Sequence, residues 1–241
     1  MSIPKKIHYC WFGRGDKSRK IEECLASWNI LDNYEIVEWN EDNFDINCNE
    51  YVKQAYKNKK YAFVSDYARL KVLYEHGGIY LDTDIEVKKD LSDFLNNNLF
   101  LGFMYDSLLG TAVIGASKNN RIIGELLEKY DYKELKYEPN NNMFTEYFLN
   151  NYPNFRLNNE YQELNDNVKI YPKEYFERPT YKKGIHFCEH HYTATWKEEK
   201  KSIIRNIAKV LLPNVIYRDI THKRVLKYTP FYNVYLEHNK K

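Results

Sequence analysis

The amino-acid sequence predicts an α/β fold built around a mainly parallel central sheet. Three observations carry that prediction. Strand-like and helix-like segments alternate through the first half of the chain, the pattern of a parallel sheet with crossover helices. The stretch "GGIYLDTDIEV", residues 77 to 87, places a short apolar run after two glycines, then Asp82 and Asp84 where a buried strand should end. With 241 residues and 43% hydrophobic side chains, the chain can bury one substantial core, and general disorder is excluded.

The elements follow in order. "KIHYCWF" is an apolar and aromatic run stopped by Gly13, a first strand. "SRKIEECLASW" carries Ile21, Leu25 and Trp28 at helical spacing, with Ser18 as the N-cap. "YEIVEW" alternates as a strand does. "EYVKQAYKNKKYAFVSDYARLKVLYEH" is helical in pattern with an interruption near "KNKK", and Gly77 and Gly78 end it. "GIYLDTD" follows as a strand, then "LFLGFMY" and "TAVIGAS" as two more. "NRIIGELLEKY" is a helix. The stretch from 131 to 180 is rich in Asn, Tyr and Pro; it offers one helix around "NMFTEYFLN" and long loops.

In an α/β sheet, ligands bind outside the carboxyl ends of the strands. Strand alternation puts Tyr80 and Asp82 on one face, and Asp84 too if the extended geometry persists. Two carboxylates so close repel, and burying them unpaired costs several kcal/mol, a conflict a divalent cation such as magnesium or manganese resolves. A solvated Asp-Thr-Asp turn fits the same spacing, and the residues alone leave both readings open. "SDYARL" sets Asp66 and Arg69 three apart on one helical face. The Gly77-Gly78 turn leads from that helix into the acid-bearing strand, which places Asp66 and Arg69 near the same sheet edge.

At this point the stretch "YAFVSDYARLKVLYEHGGIYLDTDIEV" resembles the DXD signature block of the family 32 glycosyltransferases. Bacterial members that build capsules and other polysaccharides resemble it most, and the catalytic domains of the large clostridial glucosylating toxins more distantly. "IPKKIHYCWFG" near the start and "HHYTATW" ending at Trp196 match the other two blocks, in the expected order. The resemblance implies a GT-A fold, a Rossmann-like nucleotide-binding domain holding a UDP-sugar and a divalent cation, manganese or magnesium. It implies transfer of a hexose to a hydroxyl acceptor with retention of configuration. By position, Trp11 would stack on the uracil; Asp66 and Arg69 would hold the sugar and phosphates. Ser65 and Tyr80 would line the donor site, Asp82 would contact ribose and metal, and Asp84 would ligate the metal. In the third block the resemblance points to His191, rather than His190, as a metal ligand and to Trp196 as the aromatic that closes over the donor. Thr195 stands before Trp196 where many relatives have serine. Gly110-Thr111 stands where relatives often have asparagine.

Two other classes share parts of the pattern. A haloacid-dehalogenase-type phosphatase also has two acids after an apolar strand, but Glu86 stands where it needs Thr, and no Asp-Asp pair occurs downstream. A non-catalytic nucleotide-sugar-binding module would need the same donor residues without an acceptor cleft. Zinc is disfavoured, because Cys188 and His191 have no second ligand pair at useful spacing. The four cysteines are scattered, as in reduced, mostly buried thiols.

The expected division is a catalytic domain over 1–196 and a basic helical extension over 197–241. That extension carries 11 Lys and Arg against 4 Asp and Glu, a net +7 on a body of net −5. "KKSIIRNIAKVLLP" interleaves Ile and Val with Lys and Arg as an amphipathic basic helix. It suits an anionic membrane surface beside a glycan or lipid-linked glycan acceptor, and equally a helix packed on the body with its basic face in water. No nucleic-acid motif accompanies the charge, so no nucleic-acid partner is expected. With neither a signal-peptide pattern at the N-terminus nor a span-length apolar run, the expected location is the cytoplasm, with peripheral contact at the inner face of the plasma membrane.

Overall fold

The computed structural model describes residues 2–132, 138–182, 184–193 and 212–240. The chain opens with β1 (Lys6–Cys10), α1 (Arg19–Ser27), β2 (Glu35–Trp39), α2 (Glu50–Lys57), α3 (Tyr61–His76), β3 (Gly78–Leu81) and β4 (Ile85–Val87). The hairpin β5 (Leu99–Tyr105) and β6 (Leu108–Ala116) follows, then α4 (Arg121–Glu128), α5 (Asn141–Asn151), β7 (Gln162–Leu164), β8 (Val168–Tyr171), α6 (Lys173–Phe176) and β9 (Cys188–His190). Helices α7 (Asn214–Leu226) and α8 (Tyr232–His238) complete the described chain.

A seven-stranded sheet has the order β2-β1-β3-β6-β5-β8-β7. β1 pairs in parallel with β2 and β3, and β5 with β8. β6 is inserted antiparallel between β3 and β5, and β7 runs antiparallel on the edge. Five of the seven strands therefore share one direction, as the alternating pattern predicts. The period-2 alternation of β3 divides the core: Tyr80 joins one cluster, Ile79 and Leu81 the other. The first cluster packs α2 to α5 on one face. The second gathers Trp28, Ile85, Phe94 and Phe176 on the other, under α1 and α6.

The helical caps behave as their residue types require. Ser18 Oγ accepts from the Ile21 amide at the start of α1 (3.5 Å), and Asn49 and Asn120 cap α2 and α4. The interruption at "KNKK" is a real break, with Lys59 at φ +55° between α2 and α3. Gly77 (φ +65°) and Gly78 (φ +116°) then turn α3 sharply into β3. A Cβ on Gly78 would stand 2.6 Å from the Lys6 carbonyl oxygen, so the turn needs glycine sterically as well as torsionally.

Two sequence expectations change. The strand "GIYLDTD" ends at Leu81; the chain turns, with the Ile85 amide donating to the Asp82 carbonyl (3.0 Å), and re-enters as β4. Asp84 thus reaches the site by a turn, not by extended alternation. The weakly patterned middle contains β7 and β8 as well as the expected helix, and a third short strand, β9, lies just beyond it. Within 197–241, the amphipathic stretch expected at 200–213 lies mostly outside the described residues. The described part packs on the body: Phe231, Val234 and Tyr235 join the first core cluster, and His238 Nδ1 accepts from the Leu157 amide (2.9 Å). Among the described residues no helix is long and apolar enough to cross a membrane.

Candidate functional site

The site forms at the carboxyl ends of β1 and β3. Helix α3 buries its sheet-facing side, and that side includes Asp66 (8% exposed) and Arg69 (5%). The Arg69 guanidinium lies 3.1 Å from Asp66 Oδ1 and 3.2 Å from Asp82 Oδ1, and donates to the Thr111 carbonyl of β6 (2.7 Å). It also stacks 4.6 Å above the Tyr80 ring, whose hydroxyl donates to Asp82 Oδ1 (3.1 Å). One planar cation therefore links α3, β3 and β6, a task that needs the fork of arginine. Burial is the largest influence on Asp82, and despite Arg69 it pushes the carboxyl above the usual range, with Asp84 adding to the rise.

Asp84 is brought to the same place by the two-stranded sheet of β4 and β9. Its register sets Ile85 opposite His190, which puts the imidazole beside the acidic turn. His190 Nε2 lies 3.2 Å from Asp84 Oδ1, while Asp84 Oδ2 accepts from the Thr193 amide (2.8 Å) and hydroxyl (3.1 Å). Burial works against the ionised Asp84, but His190 and the two Thr193 donors overcome it, and the carboxyl is held well below its usual range. The far nitrogen of His190, Nδ1, lies 2.8 Å from Glu177 Oε2, a carboxylate only 2% exposed that also accepts from the Tyr192 hydroxyl (2.9 Å). Burial alone would lower the imidazole, yet Asp84 and Glu177 outweigh it and raise it to about 10.

Asp82, Asp84 and His190 each present one ligand atom, all within 4.8 Å of one another. Two carboxylate oxygens and an imidazole nitrogen suit magnesium or manganese, the second more tolerant of nitrogen. Here the protonated His190 balances the acids; a divalent cation would take the place of its Nε2 proton, so the residues fit the ion that the resemblance implies.

The other expected residues distribute as follows. Trp11 lies just beyond β1, at the same sheet edge, half-buried, with Nε1 donating to the Gly15 carbonyl (2.7 Å) and the Lys17 ammonium 5.2 Å from its ring. Ser65 sits on α3 one residue before Asp66, and its hydroxyl donates within the helix to the Tyr61 carbonyl (3.1 Å). His191 does not join the carboxylates: its Nε2 turns to Glu86 Oε2 (2.7 Å), and His190 takes the position expected for it. The choice depends on the β4–β9 register, because neighbouring strand residues point to opposite faces. Glu86, which the sequence reading used only against the phosphatase, anchors His191. Trp196 and Thr195 lie outside the described residues. Sequence reading missed Glu177, Thr193 and Arg218, which bear on the same cluster. Only Thr193 had a signal, its place inside the third block.

Gly110 on β6 is occupied from across the fold. A Cβ there would meet Glu177 Oε1 at 2.5 Å, so Glu177 fills the space that a side chain at 110 would take.

With this geometry in place, the chain can be set beside known proteins. Residues 17–101 match the family model described as a glycosyltransferase sugar-binding region containing a DXD motif. That span contains Ser65, Asp66, Arg69, Tyr80, Asp82 and Asp84. An uncharacterized glycosyltransferase of Acanthamoeba polyphaga mimivirus is 37% identical over 114 residues, which are 43% of this chain. The chain spans 42% of the length of that relative. The solved structure of the PaToxG glycosyltransferase superposes on 63% of this chain and 70% of its own, with a TM-score of 0.53 at 22% identity. The architecture is thus that of the GT-A glycosyltransferases, a mixed α/β fold with a mainly parallel seven-stranded sheet.

Proposed function

We propose that the protein is a metal-dependent glycosyltransferase that moves a hexose from a UDP-sugar to a hydroxyl acceptor with retention of configuration. The observation that carries the reading is the convergence of Asp82, Asp84 and His190 beside the Arg69–Asp66 pair at the carboxyl edge of the sheet. The matched sugar-binding region and the mimivirus relative support the reaction class. As its setting we propose bacterial capsular or surface polysaccharide synthesis on a glycan or lipid-linked acceptor, carried out in the cytoplasm.

Asp82, Asp84 and His190 would hold a divalent cation, which supplies charge neutralisation at the departing diphosphate. Arg69 adds a fixed positive charge whose guanidinium is already oriented by Thr111 and Tyr80, so no reorganisation is needed when phosphate arrives. Asp66, set by Arg69, is placed to accept from sugar hydroxyls and so to orient the donor. Thr193 holds Asp84 ionised, and Glu177 aims the His190 ring. Trp11, at the same edge, offers the aromatic face on which a uracil would stack. Peripheral membrane contact is supported by α7, which exposes Ile216 (43%) and Ile220 (54%) on the side that carries Lys223 and Arg224.

The test is release of UDP from a panel of UDP-sugars with manganese or magnesium. Asp84→Asn should keep the fold and lower metal-dependent turnover roughly a thousand-fold, the worth of several kcal/mol of charge stabilisation. Normal turnover by a folded Asp84→Asn protein refutes the metal assignment. Tight UDP binding without turnover of any UDP-sugar would make the protein a binding module.

A further inference from the structure

Arg178, two residues beyond α6, is 7% exposed. Its backbone amide donates to the Lys173 carbonyl, but among the described residues its guanidinium has no hydrogen-bond acceptor and no ion-pair partner. The surrounding acids are already engaged. Glu174 pairs with Lys173 (3.5 Å), Asp219 with Lys223 (2.9 Å), and Asp106 with both Lys173 and His222. Glu177 is taken by His190 and Tyr192. A second guanidinium, Arg218 of α7, stacks 4.5 Å over the Tyr192 ring and donates to the His190 carbonyl. Burial holds Arg178 below its usual range, and the nearby Arg218 depresses it further.

A guanidinium on an almost wholly buried side chain, without a protein acceptor, favours an anion beside it. Five donors in a planar fork match the oxygens of a phosphate, the ligand for which arginine is best shaped. The place also matters. His190 presents one nitrogen to Asp84 and the other to Glu177, and its ring stacks 3.9 Å from Tyr192. The Tyr192 phenol and the His190 imidazole thus stand between the Arg218 guanidinium and Asp84.

We propose that Arg178 and Arg218 form a phosphate-binding subsite, distinct from the donor's metal-diphosphate site, that receives a phosphate group carried by the acceptor. The acceptor assignment rests on the glycosyltransferase reading; the subsite itself does not.

Thermal melts of the full chain test it, comparing sodium phosphate with sodium chloride at equal ionic strength. Phosphate at about 100 times its Kd should raise the melting temperature of the unaltered protein by roughly 5–10 °C. Arg178→Met, which replaces an unpaired buried charge with an apolar chain, should melt higher in chloride and gain nothing from phosphate. Arg178→Lys should keep part of the gain, and Asp84→Asn all of it. The melts are then repeated with saturating UDP and magnesium, whose own stabilisation should vanish in Asp84→Asn. If Arg178→Met keeps the phosphate gain, or if UDP with magnesium abolishes it in the unaltered protein, the proposal is overturned. A missing UDP response with an intact, Arg178-dependent phosphate response would remove the donor reading and leave the subsite standing.

Discussion

Arg69 is the residue whose loss should be felt most widely. In Arg69→Met the apolar stem remains, but the Asp66 and Asp82 carboxylates lose their shared cation and the Thr111 carbonyl loses its donor. Breaking a buried ion pair from one side costs about 3–5 kcal/mol, because the surviving charge stays buried. In a chain of this size 1 kcal/mol moves the melting temperature by about 2–4 °C, so the variant should melt roughly 6–20 °C lower. The stranded carboxylates lie beside the acidic turn. Manganese should therefore stabilise Arg69→Met more than it stabilises the unaltered protein, which already holds a cation there. Differential scanning fluorimetry with and without manganese reads both effects. A melt within about 1 °C of the unaltered protein would show that Arg69 is not the cation that the buried acids depend on. Equal manganese shifts would show that the acids do not act together on the ion.

Further expectations concern the supports of the site. Gly110→Ala should drive Glu177 off its present position, since the added carbon would stand 2.5 Å from Oε1. A loss of about 1–3 kcal/mol in chemical denaturation is expected, and an unchanged midpoint would refute the contact. Gly78→Ala should prevent normal folding, judged by circular dichroism, because its φ of +116° and the Lys6 carbonyl both exclude a side chain. Asp106, opposed by burial but held by His222 and Lys173, is pulled down from its ordinary 3.8 to about 2. A depressed carboxyl stabilises the fold above its unfolded pKa and loses that contribution as pH falls through the folded value. Denaturation at pH 5 and pH 2 should therefore show about 2 kcal/mol of acid-sensitive stability that Asp106→Asn lacks.

The legibility of the site in the sequence follows the range of the interactions. Asp66, Arg69, Tyr80, Asp82 and Asp84 lie within nineteen consecutive positions, on a helix, a glycine turn and a strand that each have strong local signals. Their approach to one sheet edge follows from that connection alone. The resemblance points to His191 where the structure brings His190 to the acids, because β9 has only three residues and no period to read. Its register is fixed by pairing with β4, far earlier in the chain. Glu177, Arg178 and Arg218 were illegible for the same reason. A four-residue helix and a surface helix bring them together only through tertiary packing. The turn at Asp82–Asp84 was one of two readings the residues left open, because strand alternation can run past Leu81 or, as here, Asp-Thr-Asp can bend the backbone.

The three-residue pairing of β4 with β9 has a consequence for how the protein is made. Asp84 and Thr193 stand 109 positions apart, so the acidic turn leaves the ribosome long before the strand that completes it. A nascent chain that ends before Cys188 presents two crowded carboxylates without their imidazole or threonine donors. Metal affinity therefore reports on synthesis. On the proposed metal assignment, the ion site is complete only after β9 has found β4, and a fragment ending before Cys188 should keep the signature motif yet respond weakly to manganese.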